Sequence, residues 1–65
     1  MSLHADLASM QSTLDQVLDR LDEATEVVRG TERDDLLGDL YEIERHLKAA
    51  ARRLTRALAA LPPAS

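Results

Sequence analysis

The sequence predicts an all-α fold, a two-helix antiparallel hairpin that dimerises into an antiparallel four-helix bundle. Three observations predict it. Two series of apolar residues run at alternating spacings of four and three, a glycine-containing break separates them, and the chain has only 65 residues. Alternating four-three spacing keeps a narrow apolar stripe on one side of a helix and suits shallow, left-handed packing. A chain this short buries little surface alone, so it needs a disulfide, a metal or another chain to complete a core.

The first series is Leu3, Leu7, Met10, Leu14, Val17, Leu21, Ala24 and Val28, which predicts helix 1 over about residues 3–29. A turn is expected at 30–31, where Gly30 can adopt the left-handed conformation that ends a helix. Thr31 is placed to cap the next helix, with Asp34 three residues on as an acidic variant of the capping box. Glu32, Asp34 and Asp35 complement the positive end of a helix dipole.

The second series, Leu36, Leu40, Ile43, Leu47, Ala50, Leu54, Ala57 and Leu61, predicts helix 2 over about 32–61. Gly38 is an irregularity that costs about 1 kcal/mol relative to alanine in a helix interior, so a later start near Asp35 or Asp39 is the alternative to the preferred earlier one. Pro62 and Pro63 cannot continue a helix. The hairpin is therefore expected to occupy residues 1–61, with 62–65 a disordered tail.

Each helix carries more apolar surface than one neighbour covers. Leu18 and Val27 flank the first stripe, and Leu37, Tyr41, Ala51 and Leu58 flank the second. These six residues are the expected interface with a second copy or another protein. Two hairpins packed side by side satisfy them most simply, because symmetric homodimers are the commonest oligomers.

Charge sets the expected orientation. Residues 15–44 hold eleven acids against Arg20, Arg29 and Arg33, a net of minus eight, while the remaining residues carry a net of plus four. Hairpins polarised in this way repel when parallel and attract when antiparallel. Asp15 and Asp19 are expected near Arg45 and Lys48 within each hairpin.

Other functions find less support in these residues. The stretch 45–56 contains Arg45, Lys48, Arg52, Arg53 and Arg56 and no acid, so contact with nucleic acid through its phosphates is one alternative. Against it stand a net charge of −4 and the lack of interleaved aromatic residues for base stacking. Cations near a helix C-terminus also explain these residues without a ligand. A metal-binding bundle using Glu42 and His46 is a second alternative. Their spacing of four differs from the Glu-x-x-His pattern of carboxylate-bridged bundles, and a surface hydrogen bond or ion pair accounts for them.

No cysteine is present and the only histidines are His4 and His46, which leaves a closed zinc site without ligands. There is no thiol nucleophile, no glycine-rich phosphate loop and no core to enclose a substrate. The expectation is a non-enzymatic interaction module without a cofactor, acting as a structural or adaptor protein for a larger partner. Cysteine-free composition fits the cytoplasm. The N-terminus lacks a basic stretch leading into an apolar run, and no segment approaches the ~20 apolar residues that span a bilayer. Neither secretion nor membrane insertion is expected.

Overall fold

A computed structural model of the chain describes residues 2–62. Two helices pack against each other, α1 (Leu3–Val28) and α2 (Leu37–Ala60). The molecule is a rod of 50 × 16 × 12 Å, the shape of a two-helix hairpin and nothing more. The expected tail residues 63–65 lie outside the described residues.

Helix α1 begins at Ser2, whose Oγ accepts a hydrogen bond from the Ala5 N–H at 2.9 Å. This satisfies one of the N–H groups left without a partner in the first turn of a helix. At the other end, Arg29 is extended (φ −62°, ψ 125°) and Gly30 has φ 75°. The Thr31 N–H donates to the Val28 carbonyl at 3.1 Å. These angles and this bond form a type II β-turn, whose third position requires positive φ and therefore selects glycine.

The second helix starts later than its apolar pattern suggests. The Thr31 hydroxyl donates to the Val28 carbonyl (2.7 Å) and accepts from the Arg33 N–H (3.1 Å), only two residues on. The capping box with Asp34 does not form, because the threonine side chain is used in this local turn. One turn of 3-10 helix over Asp34–Leu36 follows, and regular α-helix runs from Leu37. Leu61 closes α2 in an extended conformation (φ −99°, ψ 142°), as the residue before Pro62 must.

Half-buried positions reveal how the helices are turned. In α1 they include Leu7, Gln11, Leu14, Leu18, Leu21 and Val28, with Thr25 the one buried residue among those described. In α2 they include Leu37, Leu40, Glu44, Leu47, Ala51, Leu54 and Leu58. Both sets keep the four-three rhythm, yet only alternate members belong to the stripes read from the sequence. Leu7, Leu14, Leu21 and Val28, with Leu40, Leu47 and Leu54, form the shared centre rows. On α1, Gln11, Leu18 and Thr25 are covered where Met10 is exposed, with Val17 and Ala24 half-buried beside them; on α2, Leu37, Glu44, Ala51 and Leu58 are half-buried where Ile43, Ala50 and Ala57 are exposed, with Leu36 half-buried next to Leu37.

Polar members of this seam are accommodated individually. Gln11 Nε2 donates across the hairpin to Thr55 Oγ1 at 2.6 Å. The Thr25 hydroxyl donates to the Leu21 carbonyl one turn back at 2.8 Å, which removes the cost of an unpaired buried hydroxyl. Glu44 is reached by Lys48 Nζ at 3.1 Å.

Candidate interaction surface

Rotation of both helices leaves a second apolar row on each. On α1 it is Leu3, Met10, Val17 and Ala24; on α2 it is Ile43, Ala50 and Ala57, preceded by Leu36. In each helix this row is displaced from the seam in the same rotational sense. Because the helices are antiparallel, equal displacement brings the two rows to the same side of the hairpin. Met10, Leu14, Val17 and Leu54, together with Asp6, Ser9 and Thr13 of α1, line one shallow groove between the helices on that side. The result is an apolar face bordered on α1 by Asp6, Ser9 and Thr13. Met10 is 50% exposed and Ile43 44%, and among the described residues no hydrophobic side chain is fully buried.

The opposite side is polar. There Arg29 Nη2 donates to the Tyr41 hydroxyl at 2.9 Å and Gln11 meets Thr55. The Asp22 and Glu44 carboxyls are within hydrogen-bonding reach, which pushes the Asp22 pKa above its ordinary value. Glu44 is held below its own ordinary value by the same hydrogen bond and by Lys48.

The six interface residues expected from sequence are distributed over different parts of the hairpin. Leu18, Leu37, Ala51 and Leu58 are half-buried at the hairpin's own seam. Tyr41 lies on the polar side against Arg29. Val27, 73% exposed, stands at the outer margin of the apolar face. The sequence reading placed Leu3, Met10, Val17, Ala24, Ile43, Ala50 and Ala57 in the internal stripes. Their signal was present, since each belongs to an unbroken apolar series, but either flank of a centre row can meet the neighbouring helix.

Charged residues pair locally rather than across the hairpin. Arg45 contacts Glu42 at 2.8 Å and Lys48 contacts Glu44, so Asp15 and Asp19 do not reach them as expected; partners one helical turn away on the same helix are closer. Arg45 holds the Glu42 pKa below the usual carboxylate range. Glu42 also lies 3.7 Å from His46 Nε2, and both side chains are exposed. Among the described residues no three His, Cys, Asp or Glu side chains converge as metal ligands would. Arg52, Arg53 and Arg56 are exposed and have no ion-pair partner among the described residues. Together with Arg45 and Lys48 they fan round the solvent side of α2 instead of forming one ridge. No helix among the described residues is long and apolar enough to cross a membrane.

Comparison of the chain with protein-family models, with curated proteins and with solved structures gives no match in any of the three. The functional reading therefore rests on the surface itself.

Proposed function

We propose that this chain is a small, non-enzymatic interaction module that pairs with a second copy in an antiparallel four-helix bundle. In this reading it serves a larger partner in the cytoplasm as a structural or adaptor element, through the exterior of the bundle. One observation carries the proposal. The hairpin seam takes in buried Thr25 and half-buried Gln11 and Glu44, while beside it runs a row made only of apolar residues, of which Leu3, Met10, Ile43, Ala50 and Ala57 are exposed and Val17, Ala24 and Leu36 half-buried. A lone hairpin gains most by burying the wholly apolar row, because each large apolar side chain removed from water contributes roughly 1.5–3 kcal/mol. The opposite choice makes sense when a neighbour covers that row. In a four-helix bundle every helix has two neighbours, so its centre row faces the bundle axis and both flanks are used.

Association of this kind couples folding to concentration. Thermal unfolding followed by circular dichroism should shift to higher temperature as protein concentration rises. A midpoint independent of concentration would assign the fold to the single chain and remove the proposal.

The unpaired Arg52, Arg53 and Arg56 favour one second reading, contact with nucleic acid through phosphates. It requires duplex binding that weakens steeply with added salt, and absence of binding at low salt excludes it.

A further inference from the structure

Resting on the self-association just described, we infer that the apolar face meets its copy with the two-fold axis crossing at Val17 and Ala50. Both residues then contact their own counterparts, and the two loops lie at opposite ends. The argument starts from the register of the hairpin. Gln11 faces Thr55 and Asp22 faces Glu44, so a step forward along α1 matches a step back along α2. Six residues beyond Gln11 is Val17, and its level on α2 falls at Ala49 or Ala50, of which Ala50 belongs to the apolar face. Val17 and Ala50 therefore stand side by side near the middle of the rod.

A two-fold axis at that level, perpendicular to the helices, stacks α1 on the partner's α1 and α2 on the partner's α2. Heptad spacing then fixes the other pairs. Met10 lies seven residues before Val17 and Ala24 seven after it, so each methionine lands opposite the partner's Ala24. Ile43 and Ala57 are related in the same way about Ala50. Large side chains meet small ones on both helices, and the smallest pair sits at the axis on α2, the condition for close interdigitation.

Charge selects this orientation over the alternative two-fold axis, which runs along the helices. That axis places both loops at one end and sets two regions of net charge minus eight against each other. The perpendicular axis moves the two loop regions to opposite ends of the dimer and brings the exposed Arg56, six residues beyond Ala50, level with the partner's Glu44, six residues before it.

Cysteine cross-linking separates the two geometries, and the natural chain has no cysteine to interfere. Val17→Cys alone and Ala50→Cys alone, treated with a short bis-maleimide after sedimentation has established their mass, should each yield covalent dimer as the main product. Ser12→Cys, on the outer side of α1, should yield little. A non-covalent dimer in which neither single variant links, or in which only a mixture of the two links, overturns the inferred axis while leaving self-association intact. A monomer in sedimentation overturns self-association and the axis with it.

Discussion

Ile43 and Glu44 are neighbours in the chain, and the charged residue is the better covered: Ile43 is 44% exposed, whereas the Glu44 side chain is 22% exposed. Glu44 stands at the seam between α1 and α2, and Ile43 on the apolar face beside it. In the proposed dimer Ile43 makes an intermolecular contact. In Ile43→Ala each copy loses about 1.5 kcal/mol of apolar burial. Two copies lose about twice that, so the dimer dissociation constant should rise by about 10²-fold. Sedimentation velocity over a dilution series checks it.

Tyr41 supplies the contrast. Its hydroxyl accepts from Arg29 on the polar side of the hairpin, away from the apolar face. Tyr41→Ala should leave the dissociation constant nearly unchanged in the same dilution series. A loss comparable with that of Ile43→Ala would move the interface to the polar side.

The two glycines should respond in opposite directions. Gly30 has φ +75° in the type II turn, and Gly38 lies in the first turn of α2 with open space where a Cβ would stand. Gly30→Ala should destabilise by about 1 kcal/mol because an L-residue is strained there. Gly38→Ala should stabilise by about 0.5–1 kcal/mol through helix propensity. Urea denaturation at one fixed protein concentration measures both.

Leu47 occupies the centre row of α2 and is half-buried. Leu47→Asp places a charge where no cation waits, at a cost of several kcal/mol. Far-ultraviolet circular dichroism should show loss of most of the helical signal.

Much of this architecture was legible in the sequence, and the part that was not has a definite physical origin. The alternating apolar series located both helices, and Gly30 located the turn. Gly38 points to a late start of α2 as the alternative, but the earlier start is preferred because Thr31 can bond either to Arg33 or to Asp34, and both choices suit the same residues. The rotational setting of the helices was hidden for a similar reason. Leu7, Leu14 and Leu21 serve two overlapping four-three patterns, one through Met10 and Val17 and one through Gln11 and Leu18. Hydrophobicity favours the first, whereas the hairpin seam centres on the second, and a one-residue rotation decides which side chains stay exposed.

The Asp22–Glu44 pair gives a pH prediction. The Asp22 pKa is raised by its hydrogen bond to Glu44 and by that group's negative charge, so the folded chain binds this proton more tightly than the unfolded chain does. Its contribution to stability is full below the ordinary value of 3.8 and is lost as pH rises through the raised value. Asp22→Asn keeps a donor for Glu44 and removes the repulsion. The variant should melt at a higher temperature than the natural chain at pH 7, and the difference should vanish below pH 3.8, where Asp22 is itself protonated.

Sedimentation equilibrium over a wide concentration range, with helicity recorded on the same samples, tests the central claim most directly. The account predicts a highly helical species of twice the 7.2 kDa chain mass, dissociating on dilution with parallel loss of helix. A stable, fully helical monomer at all concentrations would contradict it.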